Sequence, residues 1–364
     1  MKINFIDLKA QYELYEAEID AAIKQVCTST QFIGGQVHQK FEEELAQYVG
    51  VKHAIGCSSG TDALLLSLMA LDIKPGDEVI TTPFTFIATA EVIAFLGAKA
   101  VFVDIDEKTY NIDVEKIPEV ITDKTKAIIP VSLYGQCSDM DAINEIANKH
   151  GLKVIEDACQ SFGATYKGKK SGALSDIGCT SFFPSKPLGA YGDGGAVFTD
   201  SDEIAAKVRM LLNHGQNERY KHKYIGINGR LDTMQAAVLS VKLKYFATEV
   251  QNREKIGQRY TSLLRDVNGI TPPFIEDHNS SVYAQYSIRV KDRESVTKKM
   301  ADKGIPTAVH YPMPLHLQEA FAYLGYKEGD FPVSEAVSHE IMSLPMSPFL
   351  KEEEQDFVVA TLKE

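Results

Sequence analysis

The first part of the chain carries apolar residues at helical spacing. They stand mostly three or four positions apart at Ile6, Leu8, Tyr12, Tyr15, Ile19, Ile23 and Val26. Such spacing predicts an amphipathic helix over residues 6–26, with its apolar side against a core.

From about residue 52, short apolar runs alternate with helical segments. Seven strands are predicted at 53–57, 77–82, 100–105, 127–134, 153–158, 178–183 and 196–200. Helices are predicted at 61–71, from Pro83 to Leu96, and at 140–151. Strands that are apolar along their whole length, with helices between them, indicate a mostly parallel sheet covered on both faces. We therefore expect an α/β fold with a seven-stranded sheet between helices.

The pattern changes after about residue 240. A long charged helix over 235–267 precedes a strand-like run at 283–290 and a second helix at 295–304. A length of 364 residues suits about two domains. We predict a large domain over 1–240 and a smaller α+β domain over 241–364, with the N-terminal helix packed on the smaller one.

Composition narrows the class of protein. A net charge of −12 argues against a nucleic-acid partner, which would require a basic surface. The five cysteines lack CxxC or Cys/His ligand spacing, so we expect a reducing, cytoplasmic setting and no metal site. Charges near the N-terminus oppose a signal peptide, and no apolar run reaches the length of a membrane span.

The stretch TSFFPSKPLGAYGDGG places Lys186 in a turn between two prolines and ahead of a glycine-rich loop. Alone, such a lysine is more often a solvated surface charge. Three further segments, at 58–66, 154–164 and 226–237, change this interpretation. Together they offer a Schiff-base amine, a phosphate cradle and a carboxylate for a pyridine nitrogen, which are the needs of pyridoxal 5'-phosphate (PLP).

The segment SSGTDALLL opens a helix directly after a serine/glycine turn. The free N–H groups at a helix start suit a phosphate, with Gly60 allowing close approach, Thr61 adding a hydroxyl and Asp62 a backbone N–H. The Asp62 carboxylate would then point away from the anion. The alternative is a simple N-cap in which Ser59 or Thr61 caps the helix.

The segment VIEDACQSFGA ends a buried strand with two carboxylates. Glu156 and Asp157 should project to opposite faces of the sheet, and ligands of open α/β sheets lie beyond the carboxyl ends of strands. Asp157 could keep a pyridine nitrogen protonated, or it could form a structural salt bridge. Gln160 could reach the ring oxygen or cap a loop.

Two more residues complete the predicted cofactor pocket. Ser181, on the strand before Lys186, could add a hydroxyl to the phosphate. Phe86 begins a helix after a strand and could stack on the pyridine ring, although a core position is the commoner use of such a phenylalanine.

The later segments offer further groups, with Asn228 expected to bind the cofactor and Arg230, His310 and Tyr311 expected to bind a substrate. Asn228 and Arg230 are suited to phosphate or carboxylate, Arg230 through its bidentate guanidinium, unless their loop only caps a helix. His310 and Tyr311, with His316, could line a substrate mouth or be structural.

The motifs GTDAL, EDACQ, SFFPSKPLG and NGRLDTMQAA, in this order, resemble those of the DegT/DnrJ/EryC1/StrS sugar aminotransferases. These are PLP enzymes of the aspartate-aminotransferase fold, fold type I. The resemblance runs from FIDLKAQ at 5–11 to MSLPMSPFL at 342–350. The stretches IIPVSLYGQCSDMDAIN, SVYAQY and PTAVHYPMPLH are most similar to the 3-aminotransferases acting on UDP-2-acetamido-2-deoxy-3-oxo-D-glucuronate, which supply bacterial surface polysaccharides.

The resemblance implies a role for each cofactor residue. Lys186 would form the Schiff base with PLP and act as general acid and base. Asp157 would pair with the ring nitrogen and Gln160 with the ring hydroxyl. The phosphate would be held by Ser181, Thr61 and Asp62.

The resemblance also implies substrates and partners. L-Glutamate would be the amino donor and a keto-sugar nucleotide the acceptor. Members are typically homodimers with shared sites, so Asn228 and Arg230 would serve the partner subunit, while His310 and Tyr311 would lie near the sugar. Two alternatives stay open: a 3- or 4-keto-6-deoxy nucleotide sugar as acceptor, or a PLP-binding regulatory protein. An NAD-binding enzyme is disfavoured because GxGxxG is missing after the first strand.

Overall fold

The computed structural model describes residues 3–364. Its helices are α1 (Leu8–Ser29), α2 (Gly35–Val49), α3 (Gly60–Ala70), α4 (Ala88–Phe95), α5 (Met140–His150), α6 (Asp202–Leu211), α7 (Thr233–Leu264), α8 (Arg293–Asp302), α9 (Pro332–Glu340) and α10 (Glu352–Lys363). Its strands are β1 (His53–Cys57), β2 (Glu78–Thr81), β3 (Lys99–Phe102), β4 (Thr125–Ile128), β5 (Lys153–Asp157), β6 (Thr165–Tyr166), β7 (Lys169–Lys170), β8 (Ile177–Ser181), β9 (Gly195–Thr199), β10 (Gln216–Glu218), β11 (Lys221–His222), β12 (Ile270–Thr271), β13 (Tyr286–Val290) and β14 (Ile341–Leu344).

The central sheet has seven strands in the order β1-β9-β8-β5-β4-β2-β3. The pairs β3–β2, β2–β4, β4–β5 and β5–β8 are parallel, whereas β9 runs antiparallel to both of its neighbours. The prediction of a mostly parallel seven-stranded sheet is therefore confirmed. The strand expected over 127–134 is shorter, because Pro130 has no N–H to donate to a ladder and Tyr134 has a positive φ of 56°.

Helices cover both faces of this sheet. Ile55, Val79 and Ile155 point to one face and share a core with α3, α4 and α6. On the other face, Ile128 and Val154 pack under α5, and the β1–β9 end packs under α2 and α7. Burial on both faces explains why these strands are apolar along their whole length.

A second, smaller core surrounds the antiparallel sheet β12-β13-β14. It contains residues of α7, β13, α8, β14 and α10, among them Tyr260, Leu264, Ile288, Met300, Leu344 and Val358. The boundary expected at residue 240 falls inside α7, and the division into domains stays a prediction. None of the helices within residues 3–364 is long and apolar enough to cross a membrane.

The N-terminal helix packs against the first half of α7. Tyr15 and Ile19 of α1 contact Val238 and Val241 there. The segment before this helix contacts the smaller core. There, the carbonyl of Phe5 accepts a hydrogen bond from the backbone N–H of Met346. The helix begins at Leu8 because Asp7 caps it, accepting a 3.0 Å bond from Ala10 N.

Candidate active site

A cavity of about 480 Å³ lies at the carboxyl ends of β5 and β8. It is bordered by the start of α3, the start of α4 and the loop after β8. Nine of the residues predicted from the sequence line it: Gly60, Thr61, Phe86, Asp157, Gln160, Ser181, Lys186, His310 and Tyr311. A larger cavity of about 870 Å³ beside β12 contains none of them. The convergence of chemical groups, and not size, therefore identifies the smaller cavity as the candidate site.

Lys186 sits in a loop that is closed by its own backbone. Its N–H donates to the carbonyl of Phe183 at 2.8 Å, and Ala190 N donates to Phe182 O at 2.7 Å. A Cβ on Gly189 would lie 2.2 Å from the carbonyl of Pro184, so only glycine permits this closure. Among residues 3–364, the Lys186 amine has no hydrogen-bond or ion-pair partner, and it is half-buried in the cavity wall.

Asp157 supplies a buried carboxylate to the same cavity. It is the last residue of β5 and 4% exposed. Its Oδ2 accepts a 2.8 Å bond from the Thr89 hydroxyl, and its Oδ1 accepts a 3.1 Å bond from Cys159 N. No cationic side chain of the described residues pairs with it. The alternative role of Asp157, a structural salt bridge, therefore has no partner among these residues. A buried carboxylate in this position is costly unless a ligand brings the cation.

The neighbouring Glu156 points to the opposite face, as strand alternation predicts. Its carboxylate accepts bonds from Ser171 Oγ at 2.7 Å and from the backbone N–H of Gly172 at 2.9 Å and Leu174 at 3.3 Å. Burial raises the pKa of Glu156 to about 7, against the opposing effect of these bonds. Glu156 is therefore held by the protein itself, whereas Asp157 faces the cavity.

The start of α3 forms a tight cradle. A Cβ on Gly60 would lie 2.6 Å from Cβ of Ser181 and 3.0 Å from Sγ of Cys159. Ser59 caps the helix, accepting a 3.0 Å bond from Asp62 N. The Asp62 carboxylate is bound by the hydroxyl of Ser58 and does not line the cavity.

Gln160 and two aromatic rings form another wall. The Gln160 amide accepts from Tyr134 N at 3.0 Å and donates to the Tyr311 hydroxyl at 3.1 Å. Phe86 is 53% exposed, with its ring centroid 6.2 Å from that of Tyr311. Because its ring is exposed at the cavity wall, Phe86 does not occupy the core position that was the alternative interpretation of this residue. It can cover a planar ligand.

His310 lies at the edge of this wall. Its Nδ1 is 2.9 Å from the hydroxyl of Ser343. Burial, followed by the positive charge of Lys186, lowers the pKa of His310. The imidazole is therefore biased towards its neutral form.

Besides Asp62, three residues singled out in the sequence do not line the cavity. Arg230 donates a 2.8 Å bond to Asn213 Oδ1, and Asn228 is exposed on the same loop. His316 is buried, with Nε2 2.9 Å from Glu335. His316 therefore does not form part of a substrate mouth.

Several cavity residues were not predicted. Thr89 stands three positions after Phe86 at the start of α4, a helical spacing that could have indicated it. Gln285 interrupts the apolar run YAQYSIRV, and its buried Oε1 has no hydrogen-bond partner among the described residues. Asp193 and Cys159 also line the cavity, but no sequence signal separates them from ordinary loop residues.

These groups fit a PLP-type cofactor. The cavity offers an unpaired amine, a buried carboxylate that lacks a cation, and a helix N-terminus whose glycine leaves no room for a side chain. An aldehyde carbon, a protonated ring nitrogen and a phosphate would meet these groups respectively. Within residues 3–364, no group of three or more His, Cys, Asp or Glu side chains could hold a metal ion.

Comparison with known proteins gives a consistent result. Residues 13–363 match the DegT/DnrJ/EryC1/StrS aminotransferase family. The UDP-2-acetamido-2-deoxy-3-oxo-D-glucuronate aminotransferase of Pseudomonas aeruginosa is 54% identical over 96% of this chain and 96% of its own length. A pleiotropic regulatory protein of Geobacillus stearothermophilus is 48% identical, over 100% of this chain and 98% of its own. The crystal structure of DesV from S. venezuelae with a ketimine intermediate superposes with a TM-score of 0.98 at 39% identity, covering 100% of this chain and 98% of that one.

Proposed function

Because this chain belongs to the DegT/DnrJ/EryC1/StrS aminotransferase family, we propose that it transfers an amino group from L-glutamate to the keto carbon of UDP-2-acetamido-2-deoxy-3-oxo-D-glucuronate. The class of enzyme is PLP-dependent sugar aminotransferase, with the corresponding α/β fold. The choice of acceptor is supported by the 54% identity to the enzyme that carries this substrate in its name.

One observation carries the proposal: Lys186 and Asp157 line the same cavity, and neither has a charged partner among the described residues. A transaminase needs one amine that moves protons and one carboxylate that keeps the cofactor nitrogen charged. The cavity supplies both, together with the cradle formed by Gly60, Thr61 and Ser181 at the start of α3.

The chemistry can be assigned to the residues of this chain. When bound, PLP supplies an electron-accepting ring that stabilises a deprotonated carbon. Nζ of Lys186 would hold the cofactor until the amine of the donor takes its place. The free Nζ would carry the proton from the α-carbon of glutamate to the cofactor, and in the second half-reaction it would carry a proton from the cofactor to C3 of the sugar. The hydrogen bonds from Thr89 Oγ1 and Cys159 N fix the Asp157 carboxylate at the cavity, where it would pair with a protonated ring nitrogen.

A uronate acceptor requires a cation near its carboxylate. Arg230 does not line the cavity of its own chain, and its Nε is buried without a partner among the described residues. Three apolar side chains near the loop of Arg230 are exposed: Ile225 by 91%, and Phe32 and Ile33, whose backbone pairs with Asp232 and Thr233, by 50% and 53%. Exposed apolar side chains grouped in one region are typical of a surface that another subunit covers. These facts support a homodimer in which Arg230 and Asn228 reach the cavity of the partner subunit.

The alternative acceptor is a 3- or 4-keto-6-deoxy nucleotide sugar, which has no carboxylate and needs no such cation. A regulatory role is favoured by the 48% identity to a protein named as a regulator and the 41% identity to a protein named for sensory transduction. The catalytic pair in the cavity favours an enzyme. A cytoplasmic location would agree with a nucleotide-sugar substrate and with five free cysteines.

The proposal is tested by following the visible absorbance of the purified, PLP-loaded protein. L-Glutamate should abolish the visible absorbance band of the protein. After removal of the donor, the 3-oxo uronate nucleotide should restore it. If only a keto-6-deoxy nucleotide sugar restored the visible absorbance, that sugar would be the acceptor in place of the uronate. A band that glutamate leaves unchanged, across donors tested in parallel, would favour the regulatory alternative.

A further inference from the structure

Lys242 is a buried cation that has no assigned role in the proposed reaction. It lies in the first half of α7 and is 1% exposed. Its Nζ donates a 2.5 Å hydrogen bond to the carbonyl of Gly189 and lies 4.6 Å from the centroid of the Tyr191 ring. Gly189 is three residues after Lys186. The cation of α7 therefore contacts the loop that carries the catalytic amine.

A second residue of α7 holds the same loop. The Gln235 side chain accepts from Tyr191 N at 2.8 Å and donates to Tyr191 O at 3.3 Å. A Cβ on Gly192 would lie 2.9 Å from Nε2 of Gln235, so the loop backbone lies close against the helix. Gln235 and Lys242 are seven positions apart, two helical turns, and therefore share one face of α7.

Burial of this ammonium is costly. Desolvation lowers the pKa of Lys242 to about 8, and the nearest opposing effect is the charge of Glu249, one further step of seven along α7. Glu249 is itself buried and accepts bonds from Gln11 of α1 at 2.8 and 3.0 Å. For stability alone, an apolar side chain of similar size would serve at least as well.

We infer that Lys242 is a positioning residue: through the Gly189 carbonyl and the Tyr191 ring it fixes the 182–191 loop, and thereby the reach of Lys186 into the cavity. This inference rests on the proposed function of Lys186. Proton transfer depends on placement to within about 1 Å, at a cost of roughly 100-fold in rate when it is lost.

The test compares Lys242→Met, which keeps the apolar stem, with Lys242→Arg, which keeps the donor and the charge. Lys244→Met is the matched control, because Lys244 lies on the same helix, is 56% exposed and pairs with Glu18. Three quantities are measured on the PLP-loaded proteins: amide hydrogen exchange of residues 182–191, the pH titration of the visible band, and kcat with KM for glutamate.

For Lys242→Met we expect loop exchange to rise about tenfold, kcat to fall about tenfold with KM little changed, and the titration midpoint to move. Lys242→Arg should be close to wild type in loop exchange, kcat and titration midpoint, and Lys244→Met should match wild type in all three. Wild-type loop exchange and an unmoved midpoint in Lys242→Met would overturn the inference, even if its melting temperature fell.

A second variant covers the case in which Lys242→Met does not fold. Tyr191→Leu removes only the ring beneath Nζ at a partly exposed position, and should raise loop exchange about threefold. No change in Tyr191→Leu would then count against the inference. Failure of the proposed function is recognised separately, because wild-type protein would form no glutamate-sensitive band while the exchange comparison still applies.

Discussion

Oγ1 of Thr89 lies 2.8 Å from Oδ2 of Asp157, so the first turn of α4 fixes the buried carboxylate at the end of β5. This bond joins two elements that are far apart in the sequence. The bond orients the carboxylate but does not neutralise its negative charge, since neither Thr89 nor Cys159 N carries a positive charge.

Replacing Asp157 by Asn should separate catalysis from stability. We expect kcat to fall by roughly 100-fold or more, because the ring nitrogen loses its counter-ion. The cofactor-free protein should melt at the same temperature or higher, since a buried charge is removed. Steady-state kinetics and thermal melts without PLP measure the two effects. A large loss of stability without PLP would show that Asp157 has a protein cation after all.

Thr89→Val should reproduce part of this effect. It removes one hydrogen bond to a charged group while keeping the shape of the side chain, and we expect kcat to fall about tenfold. Combined with Asp157→Asn, it should cost little more, because the two residues act through one bond. Additive losses in the double variant would contradict the assignment.

Gly60→Ala should impair cofactor binding. The new Cβ would meet Ser181 at 2.6 Å, so the cradle must open. We expect the Kd for PLP to rise at least about tenfold and the melting temperature to fall. Adding Ser181→Gly removes the nearest of the atoms that the new methyl group would contact and should restore part of the melting temperature. A Gly60→Ala protein with wild-type PLP affinity would rule out a phosphate at this helix start.

Gln285→Ala should affect only the acceptor half-reaction. The Gln285 amide lines the cavity with an oxygen that has no partner among the described residues, which suits a hydroxyl or amide of the sugar. We expect kcat/KM for the nucleotide sugar to fall about tenfold while bleaching by glutamate stays at the wild-type rate. Gln258→Ala, at an exposed site on α7, is the control. Equal losses in both half-reactions would indicate a general structural role.

The pKa of Glu156 makes a prediction about pH. Because it is raised from 4.5 to about 7 in the folded state, its contribution to stability is complete below pH 4.5 and is lost as pH rises to about 7. Glu156→Gln does not titrate, and its amide can still pair with Ser171 and Gly172. The variant should gain stability over wild type as the pH rises from about 5 to about 8, by about 2 kcal/mol. Urea unfolding at the two pH values measures this difference, and a constant difference would refute it.

Subunit mixing tests the shared site. Lys186→Ala and Arg230→Ala proteins, each inactive, should together recover about a quarter of wild-type activity after unfolding and reassembly in equal amounts. Half of the dimers would be mixed, and each mixed dimer would have one intact site of two. If each site used Arg230 of its own chain, no intact site would form and no activity would return.

The sequence was most informative where the chain is buried. The strands β1 and β5 and the seven-strand count were predicted because apolar runs report burial on two faces. Nine of the predicted residues line one cavity, because cofactor chemistry restricts residue type and spacing. The helix α2 was not predicted: its apolar residues Phe41, Leu45 and Val49 are outnumbered by polar ones, although they stand four positions apart.

Other features depend on packing that the sequence does not encode locally. The antiparallel direction of β9 follows from its neighbours and not from its own residues. Lys242 and Lys244 look alike in a charged helix, yet one is buried and the other exposed. The loop at 226–230 contains site-like residues that do not enter the cavity of their own chain, because the backbone of Arg230 pairs with Cys57.

The helix α7 belongs to both hydrophobic cores. Its 32 residues extend about 48 Å, with Leu239 and Phe246 in the core next to β1 and Tyr260 and Leu264 in the core next to β13. Because one continuous helix joins the two cores, no flexible linker that a protease could cut lies between them at this point. The two cores should therefore melt together in one calorimetric transition, and proteolysis of the native enzyme should not release either of them as a folded fragment.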